Sequence, residues 1–408
     1  MSKLFDPSRH EPLAGQVWSE SAARNAVTRI AAAACEAFDP ALGWVPHPRD
    51  DGQATGQPQH HVYGGTGGAI WALRHLADVG AIKASLDFAP FVDGIAERHL
   101  TDLGQPPHGT ASFLIGESGL RLLEWKFQAR EDTADRLHAC VSGNLRNPVR
   151  EQLWGSSGTV LAAIAMAEWT GAPRWAELVQ QAVQILWDEM EPAESAGGRM
   201  VWQQDLYGRQ EILLGGGHGF VGNLFPAVRG AALLAPTQVH DFASRALDLL
   251  QATALRDNGD ANWHPVIGSE ERLQGKLPLV QDCHGAVGII NRLAGLTSEV
   301  SDSVAWDQLL LEAGELSWRA GPLSKGVAFC HGTAGSAYAL LKLYRRTGQS
   351  HWLDRARALA MHGVQQTERD LLLHGQGRHT LWTGDLGLAC VLWDCITGEP
   401  AFPTLDVF

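Results

Sequence analysis

The apolar positions of this chain follow a helical period that restarts seven times. Each restart begins with a Gly-x-x-Gly pair followed by small and apolar residues. After Gly68, for example, Ile70, Leu73 and Leu76 recur every three residues, a spacing that fits one face of a helix and does not fit a strand. The pairs are Gly65/Gly68, Gly116/Gly119, Gly155/Gly158, Gly219/Gly222, Gly285/Gly288, Gly332/Gly335 and Gly384/Gly387. Their spacing suits helical hairpins with loops.

The pattern predicts two kinds of helix. Residues 160–167 are apolar on nearly all sides, as expected of an inner helix. Residues 351–370 are polar with one apolar stripe, which is typical of an outer helix. The third and sixth repeats agree best, because in both a glycine, Gly171 or Gly348, stands where the inner helix should end.

These patterns predict an all-α fold, an (α/α)7 toroid of seven helical hairpins around a central cavity. We expect one domain over residues 1–408, with 1–60 as an N-terminal segment and first outer helix and 61–408 as the seven repeats. The small residues that start each inner helix are expected to leave backbone N–H groups facing the cavity. Strand-like segments such as residues 200–203 are short and are expected in loops.

Composition and charge exclude several classes of protein. Of 408 residues, 45% are hydrophobic and 19% charged, so the chain can bury a large core. The net charge is −13 and no Lys/Arg block occurs, which argues against nucleic acid or an anionic membrane as partner. We find no signal peptide or transmembrane run and too few cysteines for a disulfide scaffold. We therefore expect a cytoplasmic protein with reduced thiols.

The candidate chemistry stands directly before the repeat glycines. Cys283-His284 and Cys330-His331 occupy the same positions in the fifth and sixth repeats, and His218 is the equivalent residue of the fourth. Neighbouring inner helices should bring the two cysteines to adjacent points of one rim. Two thiolates and one imidazole suit Zn²⁺, and three protein ligands leave a fourth position open, as in catalytic zinc sites.

A plainer interpretation is that Cys283 and Cys330 are small buried hydrophobic residues, as Cys390 and Cys395 in the last helix are expected to be. The histidines favour a zinc site instead. Six of the 17 histidines directly precede a glycine, and three of those six stand immediately before a repeat glycine.

Six segments resemble the motifs of the lanthionine synthetase C-like (LanC-like) family, whose members are rings of seven helical hairpins with zinc in the central cavity. The segments are residues 62–68, 112–119, 151–155, 217–219, 282–285 and 330–335. The resemblance, which runs over nearly the whole chain, implies that Cys283, Cys330 and His331 are the zinc ligands. It also implies that His218 acts in proton transfer.

Two positions depart from the pattern usual in this family and its lanthipeptide cyclases. Asp282 replaces the tryptophan usual before the first zinc cysteine, and Leu279 replaces an arginine common four residues before it. We expect Asp282 either beside a ligand histidine or on the surface. Lys325 before the second zinc motif, together with His284, resembles the branch of the family associated with glutathione.

The resemblance and the zinc chemistry together predict a reaction. A cysteine thiol, bound as thiolate, would add to dehydroalanine or dehydrobutyrine and form a thioether. His218 is the candidate acid, and His284 could share its role. Glu151 could orient or deprotonate a reacting group, and Lys325 could neutralise developing charge. Alternatively, Glu151 caps an inner helix and Lys325 is a solvated loop residue.

Several functions remain open at this point. The protein could cyclise a dehydrated peptide, or add glutathione or another small thiol to dehydroamino acids of damaged proteins. It could also be a zinc-binding regulatory protein without catalysis. A glycosidase on the same fold would need two flanking carboxylates, for which Glu151 and Asp385 are the candidates.

Overall fold

The computed structural model describes residues 4–13, 15, 17–50, 57–269, 273–297 and 302–408. These residues are mostly helical, as predicted. The α-helices are α1 (Glu20–Glu36), α2 (Thr66–Asp78), α3 (Ala89–Val92), α4 (Ile95–Leu103), α5 (Glu117–Phe127), α6 (Glu131–Gly143), α7 (Ser156–Thr170), α8 (Pro173–Asp188), α9 (Phe220–Arg229), α10 (Pro236–Thr253), α11 (Ala286–Leu293), α12 (Ser303–Ala320), α13 (Thr333–Thr347), α14 (Ser350–His374) and α15 (Asp385–Thr397).

Short strands lie in the loops, as the sequence predicted. They are β1 (Glu191–Ala193), β2 (Arg199–Val201), β3 (Gln204–Leu206), β4 (Arg209–Leu213), β5 (Leu255–Asp257), β6 (Asp260–Asn262) and β7 (Val266–Ile267). All pair antiparallel, in the orders β1-β2, β3-β4-β7 and β5-β6. In β1-β2, for example, Glu191 pairs with Val201.

All seven predicted inner helices form, and each begins directly after the first glycine of its pair. These helices are α2, α5, α7, α9, α11, α13 and α15. The second glycine is needed because the incoming loop crosses the first turn. A Cβ atom on Gly288 would lie 1.9 Å from the carbonyl oxygen of Asp282, and one on Gly158 would lie 2.0 Å from that of Gln152. No side chain fits there.

The same loops change one expectation about the helix starts. Backbone N–H groups of the first turn donate to loop carbonyl oxygens seven residues earlier, Thr66 to Gln59 at 2.8 Å and Thr333 to Gly326 at 2.9 Å. The Asp385 N–H donates to the Arg378 carbonyl oxygen in the same way. The prediction that these N–H groups face a cavity is therefore wrong at these helices, because the preceding loop takes up their bonding capacity.

The chain divides into two compact units, which we describe one at a time. The first comprises Met1–Ser8, Gln105–Phe113 and His138–Ala320. In it α7 packs on α8 and α9, α9 packs on α10 and α11, and α11 packs on α12. The second unit comprises Arg9–Gly104, Leu114–Leu137 and Gly321–Phe408. That all of residues 1–408 form a single domain stays a prediction.

In the second unit, helices from the two ends of the chain meet. Helix α13 packs on α14 and α15, and α15 packs on α2, which in turn packs on α5. The first inner helix therefore follows the last one in space. Helix α1 packs on α15, so the outer partner of the last inner helix comes from the N-terminal part of the chain.

Burial follows the predicted inner and outer faces. Residues 156–167 of α7 are all buried, consistent with their apolar pattern. Gly171 and Gly348 end α7 and α13 in the left-handed conformation, with φ of 63° and 68°. Trp175 and Trp352, which follow them, are fully buried. Among the described residues, no helix combines the length and the apolar character needed to cross a membrane.

Candidate metal centre

Loops that precede neighbouring inner helices hydrogen-bond to one another at equivalent positions. In the second unit, Tyr63 N–H donates to Leu114 and Trp382 N–H donates to Tyr63, at 2.8 and 3.0 Å. In the first unit, Gly217 N–H donates to Cys283 at 3.3 Å. Each of these residues stands two positions before the first glycine of its repeat. The repeats therefore place these positions in register within each unit.

Cys283 is buried in the loop that leads to α11. The side-chain amide of Gln281 donates to its Sγ atom at 2.9 Å, a bond that stabilises negative charge on sulfur. The glycine-rich segment before His218 runs close by, because a Cβ atom on Gly215 would lie 2.1 Å from the carbonyl oxygen of Cys283. The consecutive glycines at 215–217 thus let two loops of the rim touch.

Glu151 and His218 form a pair beside this loop. Oε2 of the fully buried Glu151 lies 2.7 Å from Nδ1 of His218. Glu151 also accepts the N–H groups of Leu153, at 3.0 Å, and Trp154. It therefore bonds the ring of His218 and the turn that leads to α7, and both of its predicted roles stay predictions. The ring of His218 lies 5.8 Å from that of His284, centroid to centroid.

Asp282 is in neither of its expected places. Its side chain is 1% exposed, so a surface position is wrong. Its carboxylate accepts two bonds from Arg292, at 2.8 and 2.9 Å, and one from Asn291 at 2.9 Å, rather than pairing with a ligand histidine. The acid in place of the family's tryptophan is thus neutralised by an arginine on the following helix.

Cys330 and His331 lie in the second unit, in the turn before α13. The loop is held to the helix start by bonds from Ala334 N–H to Val327 and from Gly335 N–H to Ala328. Lys325, at the start of this loop, is exposed. Its backbone carbonyl accepts a bond from Arg49, whereas its ammonium group has no hydrogen bond or ion pair with the described residues.

Cys283, Cys330 and His331 offer two thiols and one imidazole, the donors that the sequence predicts for a metal ion. In the second unit, Cys330 and His331 offer a thiol and an imidazole from adjacent positions of one turn. Thiolate and imidazole donors suit zinc, whereas magnesium and calcium prefer oxygen. The donor set therefore fits the predicted metal, and His284 is not part of it.

Sequence reasoning missed the partners of these residues. Gln281, which bonds the Cys283 sulfur, gave no signal, because its amide needs the folded loop to reach it. Arg292 could have been found, since it is a charged residue in the last turn of a short buried helix, ten positions after Asp282. A charge in such a place indicates a buried partner.

Comparison with known proteins identifies the family. The profile described as lanthionine synthetase C-like protein matches residues 22–407. The chain belongs to this family. Nisin cyclase, a solved LanC-like structure, superposes with a TM-score of 0.60 and 14% sequence identity, covering 92% of this chain and 94% of that one. The predicted fold class, a toroid of helical hairpins, is confirmed by this likeness.

Two curated relatives are similar to part of the chain. LanC-like protein GCL1 of Arabidopsis thaliana is 32% identical over 141 residues, 32% of this chain and 30% of that protein. Glutathione S-transferase LANCL1 of Danio rerio is 28% identical over 153 residues, 36% of this chain and 34% of that protein. This LanC-like chain thus spans about a third of the length of either relative in these matches.

Proposed function

We propose that this LanC-like protein binds Zn²⁺ through Cys283, Cys330 and His331 and forms thioethers by adding a cysteine thiol to dehydroalanine or dehydrobutyrine. The observation that carries the proposal is the place of the donors, since both thiols stand two positions before the first glycine of their repeats and the Gln281 amide bonds the Cys283 sulfur at 2.9 Å. Family membership and the fold of nisin cyclase support it. A bound zinc ion would supply a Lewis acid that holds the thiol as thiolate.

The residues of the first unit supply the proton chemistry. The new S–C bond forms at the β-carbon, and the electron pair of the C=C bond moves to the α-carbon, which needs a proton. Since the carboxylate of Glu151 can only accept a hydrogen bond, Nδ1 of His218 carries the hydrogen between them, and the proton to be transferred is held at Nε2. His218 then donates the proton and recovers one from the incoming thiol.

His284 and Lys325 have secondary roles in the proposal. The His284 ring is close enough to His218 to share the proton transfer, with 5.8 Å between ring centroids. Lys325 is exposed and reaches no described group through its ammonium. We retain its predicted role, neutralising charge as the enolate forms, as part of the proposal.

The substrate is a dehydrated peptide or protein, and two relatives point to different thiols. Nisin cyclase is named for ring formation, which would join two residues of one peptide. LANCL1 is named as a glutathione S-transferase, which favours a small external thiol. We propose intramolecular cyclisation first and glutathione addition as the alternative. Thiolate ligands and a reduced thiol substrate both suit the cytoplasm.

The test uses a peptide with one dehydroalanine and one cysteine, incubated with zinc-loaded protein with and without glutathione. Cyclisation leaves the mass unchanged and removes the free thiol, so the product resists alkylation. Glutathione addition increases the mass by one glutathione. Neither product in either reaction would overturn the proposal and leave a zinc-binding protein without catalysis.

The glycosidase alternative loses support from its two carboxylates. Glu151 is fully buried and bonds His218 and the turn before α7. Asp385 starts α15 and accepts the N–H of Arg378 at 2.9 Å. Burial raises the pKa of Asp385 to about 7. Both carboxylates thus already accept hydrogen bonds from groups of their own unit.

A further inference from the structure

A buried guanidinium lies between the loop that carries Cys283 and the loop that carries Glu151. Arg292 is 1% exposed. Its Nη1 and Nη2 atoms donate to the two carboxylate oxygens of Asp282 at 2.8 and 2.9 Å, and its Nε atom donates to Oε1 of Gln152 at 3.0 Å. Asp282 directly precedes Cys283, and Gln152 directly follows Glu151. The Arg292 side chain therefore bonds both the residue next to Cys283 and the residue next to Glu151.

The same guanidinium also contacts the helix that follows His218. Its Cζ atom lies 5.8 Å from the centre of the Phe225 ring on α9. The glycine-rich segment before His218 packs on Asp282, since a Cβ atom on Gly216 would lie 3.0 Å from the Asp282 carbonyl oxygen. Three consecutive rim loops of the first unit are thus assembled around Arg292.

Stability alone does not explain a buried ion pair at this place. Two charges lose their hydration on burial, and apolar residues of similar volume are often at least as stabilising. A bidentate arginine–carboxylate pair does fix the distance and the plane of its partners. The feature that distinguishes this pair from an apolar contact is therefore geometry.

We propose that Arg292 is a positioning residue, which sets the place of the Cys283 sulfur relative to the Glu151–His218 pair. The inference rests on the proposed function. Addition across a double bond requires sulfur at the β-carbon and the proton donor at the α-carbon at once, so an error of about 1 Å between His218 and the sulfur would lower the rate. The bonds given above for Arg292 go to Asp282 and Gln152, so the proposed role is exerted through these two residues.

Two variants separate its two connections. The double variant Arg292→Met/Asp282→Asn removes both charges, so no unpaired ion stays buried, and it frees the Cys283 loop. Gln152→Met removes only the hydrogen bond from Arg292 to the residue that follows Glu151. It leaves the Arg292–Asp282 ion pair intact. Arg256→Met/Glu312→Gln, which removes a more exposed ion pair elsewhere in the first unit, is the control for loss of an ion pair as such. Each variant is tested for thermal unfolding, Co²⁺ affinity by thiolate–cobalt absorption, and kcat and KM.

The expected results differ between the variants. Loss of a residue that orients metal ligands typically costs 10–100-fold in affinity or activity. We expect Co²⁺ affinity and kcat to fall 10–100-fold in Arg292→Met/Asp282→Asn. In Gln152→Met we expect kcat to fall about 10-fold, with KM and Co²⁺ affinity within about twofold of wild type. A merely structural pair would change the melting temperature and leave kcat per folded protein unchanged.

Wild-type kcat in folded Gln152→Met, or wild-type Co²⁺ affinity in the folded double variant, would overturn the inference. If the double variant does not fold, the Gln152→Met kinetics decide. If the wild-type protein adds no thiol to any dehydroalanine peptide, the proposed function fails, and the Co²⁺ measurement still tests whether Arg292 positions the Cys283 loop. The two failures are therefore distinguishable.

Discussion

Nδ1 of His218 lies 2.7 Å from Oε2 of Glu151, and these residues are 67 positions apart in the chain. The carboxylate is fully buried, whereas the histidine side chain is 23% exposed. Glu151 is fixed by the turn before α7 and holds the ring, and the proposed proton donor, His218, is the more exposed of the two.

The pair makes a first prediction. His218→Ala should lower kcat by about 10²–10⁴-fold, the usual contribution of a general acid, with zinc content unchanged. Glu151→Gln should lower it less, because the amide can still orient the ring. The double variant should be about as slow as His218→Ala alone, since both residues act as one unit. Additive losses in steady-state kinetics would show that they act separately.

The ligand set makes a second prediction. Purified wild-type protein should hold one equivalent of zinc by metal analysis, and Cys330→Ala almost none, because two ligands cannot keep the ion. Cys390→Ala is the matched control. Cys390 is fully buried and burial raises the pKa of its thiol, so it should remain a protonated core residue. Equal zinc in Cys330→Ala and wild type would contradict the assignment.

The repeats explain how much of this site the sequence could predict. Gly-x-x-Gly pairs mark the start of every inner helix. At Gly68, Gly158, Gly222, Gly288 and Gly387 the crossing loop excludes any side chain, a local requirement that leaves a trace in the sequence. The same register puts Cys283 and Cys330 at equivalent positions. The candidate metal ligands could therefore be named without coordinates, and their role stays a prediction.

The residues that bond around these candidate ligands could not be predicted from the sequence. Arg292 meets Asp282 and Gln152 through contacts that depend on the packing of α11, and Gln152 lies 140 residues away in the chain. The hydrogen bonds of the N–H groups that start the inner helices could not be predicted either. Their acceptors are carbonyl groups of loops, and the path of these loops follows no periodic sequence pattern. Long-range polar contacts of this kind follow from the folded backbone.

The glycine pairs make a third prediction. Gly288→Ala should destabilise the protein by about 3 kcal/mol or more, because the new methyl group would collide with the Asp282 carbonyl at 1.9 Å. Gly143→Ala in α6 is the matched control, as nothing lies within 4 Å of its Cβ position. It should change stability by less than about 1 kcal/mol. Urea unfolding measures both, and equal midpoints would refute the crossing-loop explanation.

The last prediction concerns a buried acid in the second unit. Asp394 accepts bonds from the Tyr338 hydroxyl and from Ala401 N–H, both at 2.8 Å. Burial raises the pKa of Asp394 to about 7, from an ordinary value of 3.8. The folded protein therefore binds this proton more tightly than the unfolded chain does. Its contribution to stability is complete below about pH 4 and is lost as the pH rises through 7.

Asp394→Asn removes this titration while its amide oxygen still accepts from Tyr338. The free energy of unfolding of the variant should therefore rise relative to wild type between pH 4 and 7, by up to about 1.4 kcal/mol per pH unit, and level off above 7. The difference is the quantity to measure, by urea unfolding at several pH values. Buried histidines such as His61, whose pKa is lowered to about 3 by burial, change the stability of both proteins in the opposite direction. A constant difference across this range would show that Asp394 is ionised throughout and that its burial does not govern its protonation.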